Sequence, residues 1–274
     1  MKKSFYVLIL TGLIMIISGC MPQKGEEINI TYEFTEKDLK GLQSINISAP
    51  STNLIVNTVE DEIITVQLHG EFGGNEGEKE KLIKTWMEES TFHTIINPPI
   101  SKKWMTGELD LIINIPKRNY DEVAIEVTSK QLKMSPFEAK TFQLITTSGT
   151  STIEGFSGEK FSITGTSGDI KLENFSGEGK IEMTSGNLSV RMTEITSPVS
   201  IKNTSGKISF FTPLDMKFQL DANIRPNRVK MDPRLKVNLT SKENKIIGKI
   251  NQPVANDPTI FIRTNSGRLE IKSY

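Results

Sequence analysis

One short phrase, Thr-Ser-Gly, recurs through the second half of the chain and limits what it can fold into. It occupies residues 147–149, 166–168, 184–186 and 204–206, so successive copies lie 19, 18 and 20 residues apart, and a similar unit follows at Thr264-Asn265-Ser266-Gly267. A worn copy, Thr128-Ser129-Lys130, falls one period earlier. Phe156-Ser157-Gly158 and Phe175-Ser176-Gly177 mark a second turn between the first pairs, so the unit is two strands and two turns. Self-similarity at a fixed period is the signature of stacked supersecondary units. A glycine after serine can take φ > 0 without steric penalty, and Thr or Ser hydroxyls bond nearby backbone groups. Gly149, Gly168, Gly186, Gly206 and Gly267 are therefore read as structural turn residues.

The hydrophobic period agrees with strands. At positions +2 and +4 from the turn glycines stand Ile170 and Leu172, Leu188 and Val190, Ile208 and Phe210, Leu269 and Ile271, with Ser151 breaking the first column. The second strand gives Phe161 and Ile163, Ile181 and Met183, Val199 and Ile201 as columns. A unit of about 19 residues cannot bury its own apolar side and must stack on neighbours about 4.8 Å away. The expected fold is an all-β, right-handed parallel β-helix or β-solenoid with coils of about 19 residues. An antiparallel meander fits short strands with frequent turns as well, but identical triplets at one period favour parallel stacking. Upstream, Ile28-Asn29-Ile30, Ile45-Asn46-Ile47, Leu54-Ile55-Val56 and Ile63 to Leu68 are candidate strands of irregular coils. Glu78 to Glu89 reads as one helix with Leu82, Ile83, Trp86 and Met87 on one side, placed to cap an open end or flank; a partner-binding helix is the alternative.

The N-terminus is read separately. Lys2 and Lys3 precede an apolar run from Phe5 to Ile17, too short to span a bilayer and followed by polar residues. Ile17-Ser18-Gly19-Cys20 resembles the lipobox of bacterial lipoproteins. That resemblance implies a signal peptide over residues 1–19, cleavage before Cys20 and lipidation of Cys20, hence an extracytoplasmic protein lipid-anchored to the cell membrane. The alternative is an ordinary secretory signal followed by a chance cysteine. Residues 20–27 would be the tether and 28–274 the folded domain, with regular repeats over 120–211 and irregular coils over 212–274. With a single cysteine there is no internal disulfide. Without Lys2 and Lys3, 31 of the 33 basic residues remain against 33 acidic ones, and no basic block offers a nucleic-acid surface.

The Thr-Ser-Gly-x-Ile-x-Leu unit, the segment Leu111 to Lys117 and the unit Thr264 to Ile271 resemble the β-strand repeat proteins of the DUF4097 family. The resemblance runs from about Ile45 onward, strongest over 109–211 and weakest over 213–260, where Pro213, Pro226, Pro233 and Pro253 interrupt it. It implies a β-solenoid at the bacterial envelope with an adhesin label.

Catalytic constellations are wanting. His69 and His93 are the two histidines, without helical metal-ligand spacing, and no Gly-x-Ser-x-Gly elbow occurs. Asp169, Glu173, Glu178 and Glu182 supply acids that a β-helix enzyme could use, but their spacing singles out no pair. The residue after each turn glycine is Thr150, Asp169, Asn187, Lys207 and Arg268, whose changing sign argues against a calcium ladder. Thr147, Thr166, Thr184, Thr204 and Thr264 form a threonine column better suited to corner hydrogen bonding than to ligand capture. No cofactor or metal is therefore expected. The preferred function is a noncatalytic interaction module for an envelope protein or wall polymer; the alternative is a carbohydrate-active enzyme or glycan-binding protein.

Overall fold

The computed structural model describes residues 26–73, 76–97, 108–128 and 130–274. The leader, Cys20, the start of the tether and Ser129 lie outside them. The described chain is nearly all strand, laid down as two ladders of parallel strands. The first contains Asn119–Val127, Phe137–Thr146, Lys160–Gly165, Glu178–Met183 and Val199–Asn203. The second contains Gln131–Met134, Thr150–Ile153, Asp169–Phe175, Leu188–Met192 and Lys207–Thr212. The chain passes from one to the other at each Thr-Ser-Gly corner, as a solenoid-like stack requires.

Alternation does the packing. Leu172, Val190, Phe210 and Ile271 lie opposite one another in the second ladder, and each is wholly buried. In the first, Leu144, Ile163, Ile181 and Ile201 form the facing column. Ser151 does interrupt the apolar column, buried between Leu132 and Ile170. Where the chain turns back, Phe137, Phe142, Phe156, Phe161 and Phe175 meet ring to ring at centroid distances of 4.9 to 6.4 Å. Such contacts add to the gain from area burial.

The corner serines bind the stack together. Ser167 donates both its amide, at 2.8 Å, and its hydroxyl, at 3.0 Å, to the carbonyl of Thr147. Ser148, Ser185 and Ser205 repeat that double bond onto Thr128, Thr166 and Thr184. The triplet hydroxyls that donate to backbone at these corners belong to the serines, while the hydroxyls of Thr128 and Thr264 accept from the amides of Ser51 and Gly267. The glycines answer two demands, seen at Gly186: its φ is +103°, and a Cβ there would stand 1.8 Å from the carbonyl oxygen of Gly168. Gly149, Gly168 and Gly206 share the left-handed φ. Gly267 departs from the expectation, because the longer Thr-Asn-Ser-Gly corner avoids positive φ. Its amide donates to Thr264 Oγ1 at 2.8 Å, and glycine is needed there for space alone, with Gly206 O at 2.6 Å from a would-be Cβ.

Three further expectations are corrected. The first-ladder columns are offset by two residues: Ile163 lies opposite Ile181, and Phe161 opposite Gly179, whose missing side chain leaves room for the Phe161 ring. The helix over Glu78 to Glu89 shrinks to Glu76–Lys79, while Ile83–Glu88 is a strand antiparallel to Thr91–Ile96. Ile83 and Thr85 point inward and Lys84 outward. These β-branched residues with Trp86 suit a strand once Thr91–Ile96 offers a partner, and tertiary pairing overrides the helical stripe. Finally, Glu26–Phe34 and Ile64–Phe72 are not coils of the stack; they pair antiparallel with each other, and Ile64–Phe72 runs antiparallel to Leu109–Pro116.

Both ends are built out of sequence order. Ser44–Ala49 lies between Thr91–Ile96 and Asn119–Val127, and Asn53–Val59 between Leu109–Pro116 and Gln131–Met134. At the other end Thr259–Arg263 slots between Val199–Asn203 and Phe218–Asn223, and Arg268–Ser273 between Lys207–Thr212 and Val229–Met231. The hairpin Val237–Lys242 and Lys245–Ile250 then covers Phe218–Asn223. Among the described residues no helix is long and apolar enough to cross a membrane.

Two stability outcomes follow. Val190→Asp places an unpaired charge in the sealed column and is expected to cost more than about 4 kcal/mol, abolishing cooperative thermal melting. Gly186→Ala is expected to cost at least about 2 kcal/mol in urea unfolding. Gly41→Ala, at φ +80° with nothing within 4 Å, should cost only about 1 kcal/mol; equal losses at the two glycines would remove the stacking contact from the account.

Candidate functional site

With the inward side chains committed to the core, any site must lie on the outward faces. The two faces differ in how their polar groups are used.

On the second ladder several outward groups bind one another. Asn53 donates to Asp110 at 2.7 Å, Asn57 to Asn114 at 2.9 Å, and Asn114 to Thr65 at 2.8 Å. Further along, Arg191 Nε lies 2.6 Å from Glu173 Oε2, and its guanidinium is held between the rings of Tyr274, at 4.4 Å, and Phe211, at 5.1 Å. The Tyr274 hydroxyl donates to the Met192 carbonyl at 2.8 Å. Beside this lies a cavity of about 310 Å³ whose acids are both taken. Asp232 accepts from Arg234 and from the amide and hydroxyl of Ser273, and those bonds hold its carboxyl far below the usual range. Glu270 accepts from Lys272 at 2.9 Å and Lys207 at 3.0 Å, which bring its carboxyl down to about 2.

The first ladder carries one continuous outward column. Following the register, it runs Trp86, His93, Asn46, Ala124, Gln143, Ser162, Lys180, Ser200, Phe261, Asp221. At one end Trp86 and His93 stack at 4.7 Å and 10°, with Lys84 Nζ 4.6 Å over the indole. Over the middle and far end lies an open groove of about 570 Å³, with Phe261 at one end and Gln143, Ser162 and Ser200 along it. These three polar side chains bond no other described residue, as is also true of Ser189 and Ser209 on the second ladder.

The residues singled out from the sequence are dispersed. Asp169 accepts from the Asn187 side chain at 2.9 Å, Glu178 is 3.9 Å from Lys160, and Glu182 is 3.1 Å from Lys180. Glu173 is shared between Arg191 and Lys171. Each acid thus has its own basic or amide partner, and no two of the four share a bound group. His69 lies 3.9 Å from Asp110 on the strands that extend the second ladder, whereas His93 belongs to the first. Among the described residues no three His, Cys, Asp or Glu side chains gather closely enough to hold a metal ion. Sequence reading missed Phe261 and the Trp86–His93 stack; only the pairing of distant strands brings them into one column.

The profile of the family described as Toastrack DUF4097 matches residues 42–272, spanning both ladders and both end structures. The chain belongs to the DUF4097 family. No curated protein is significantly similar to this DUF4097 chain. Similar solved structures include a proposed adhesin from Bacteroides fragilis, 12% identical with TM-score 0.47, covering 93% of this chain and 100% of its own. Another is a proposed cell adhesion protein from Clostridium sporogenes, 10% identical with TM-score 0.38, covering 91% and 100%. A third is a proposed lipid-binding protein from Parabacteroides distasonis, 11% identical with TM-score 0.40, covering 91% and 97%.

The Glu270 pairs set a pH dependence. Its carboxyl titrates at 4.5 when unperturbed and at about 2 in the fold. The stabilisation is therefore complete above pH 4.5 and lost as pH falls through about 2. The lysine side chains are 43% exposed, so screening should keep the effect below about 1 kcal/mol. Glu270→Gln is expected to lower Tm slightly at neutral pH and to converge on the parent at pH 2; a gap that persists there would assign the loss to packing instead.

Proposed function

We propose that this DUF4097 chain is a noncatalytic cell-envelope lipoprotein that presents a rigid β-solenoid surface to an envelope protein or wall polymer. In this reading residues 1–19 are removed, Cys20 is lipidated, residues 20–27 tether the folded domain, and the protein is held extracytoplasmically at the cell membrane. The stack is taken to wind right-handed in coils of about 19 residues. The observation that carries the noncatalytic reading is the fate of the acids: Asp169, Glu173, Glu178 and Glu182 each face a separate neighbour that binds it. Glycosidic acid–base chemistry needs two carboxylates across one substrate bond, one of them free to exchange a proton. What the geometry offers instead is an extended array of fixed side chains at regular spacing, as repeat architectures use for recognition.

The test is crosslinking capture from living cells with the lipidated chain and with Cys20→Ser, reading both protein and glycan. One abundant protein or polymer, recovered only with the lipidated form, supports the proposal. Turnover of a polysaccharide by the purified chain, lost in Glu173→Gln, would overturn it. Asp169→Asn is expected to leave both capture and Tm unchanged, within about 1 °C, because an amide oxygen still accepts the Asn187 bond on an exposed face.

A further inference from the structure

We infer that the first-ladder groove binds an uncharged, extended polysaccharide chain, with Phe261 as its aromatic platform. The inference rests on the interaction-module reading and names the ligand class for one face. Four properties of the groove carry it.

First, its volume of about 570 Å³ is that of a ligand site, and it runs across the strands, so a bound chain would lie along the stack. Second, Gln143 and Ser162 present an amide and a hydroxyl on neighbouring strands about 4.8 Å apart, and Ser200 adds a hydroxyl two strands beyond Ser162, across Lys180. That spacing is close to the length of one sugar in an extended chain. Amides and hydroxyls both donate and accept, as sugar hydroxyls do. None of these three side chains bonds another described residue, so their hydrogen-bonding groups are open to a ligand. Third, Phe261, next to Ser200 in register and only half-buried, closes one end with a flat apolar ring. The C–H face of a pyranose packs on such a ring by dispersion. Fourth, the groove's charges cancel: Glu122 and Glu178 stand against Lys160 and Lys180, and Lys160 lies 3.9 Å from Glu178. A polyanion or polycation would gain nothing there, while a neutral polyhydroxyl chain meets no desolvated charge.

The probe is chitohexaose, an uncharged β-linked oligosaccharide, titrated by calorimetry into the chain, with hexagalacturonate as its anionic counterpart. Chitohexaose is expected to bind with a Kd of micromolar to about 1 mM, and hexagalacturonate at least roughly tenfold more weakly. Phe261→Ala should weaken chitohexaose roughly tenfold, and Ser162→Arg, which fills the groove, should do the same, both at unchanged Tm. Lys230→Ala, on the other ladder, should have no effect. No binding of chitohexaose, preference for the anion, or binding indifferent to both groove variants each overturns the inference. If cellular capture still succeeds in that event, the interaction module stands and only its glycan ligand fails; if capture fails as well, both fall.

Discussion

Backbone sits directly on backbone at the corners of this chain, and everything else in the fold is referenced to that contact. Gly168, Gly186 and Gly206 each approach the carbonyl of the preceding corner glycine so closely that a methyl group has no room. The adjacent serine fixes the same spacing through two hydrogen bonds onto one carbonyl. Because side chains alternate with period 2, a one-residue slip at a corner would send Leu172, Val190 and Phe210 outward together. The corner therefore sets the register, the register fills the core, and the same register lays down the outward columns.

A stack fixed in this way leaves unpaired strand edges at both ends, which invite further strands. The chain interleaves both: at the N-terminal end an earlier segment lies between two later ones, at the C-terminal end a later segment lies between two earlier ones, and antiparallel strands finish three of the four ladder ends. At the C-terminal end the coil Thr259–Ser273 is interleaved between segments that precede it in sequence. The outer coil is thus tied to the body by chain connections on both sides, so fraying it requires opening the interleaved coil too. The finishing strand Val237–Lys242 is exposed along almost its whole length, yet it ends in Lys242 opposite Lys245, charges that discourage pairing with another copy.

The regular middle was legible because its constraint is local. Thr-Ser-Gly carries the turn, and alternation around Ile170, Leu188, Ile208 and Leu269 carries the strand, so parallel stacking followed from the repeat alone. The offset at Gly179 was not legible, because it depends on where the Phe161 ring goes, and a period count weighs a buried glycine as a gap. Ile83 to Met87 misled for a different reason. A short segment with apolar residues at 82, 83, 86 and 87 satisfies helical spacing and strand alternation about equally, and only the partner Thr91–Ile96 chooses. The interleaved ends were invisible because their pairings join segments dozens of residues apart. The outward column from Trp86 to Phe261 was hidden by the same non-locality.

The contrast between the two faces follows from what the register puts side by side. On the second ladder it sets Asn beside Asp, Asn beside Asn, and Glu beside Arg or Lys, and each pair satisfies itself. Such pairs on an exposed face contribute little stability apiece, but they leave few polar groups for a ligand. On the first ladder the register sets Gln143 beside Ser162, which bond neither each other nor another described residue, and places Phe261 beside Ser200. A surface whose polar groups are already matched gives up hydrogen bonds when it binds, whereas one with open groups gains them. The corner contact that stabilises the stack thereby also decides which outward side chains stand beside one another on each face.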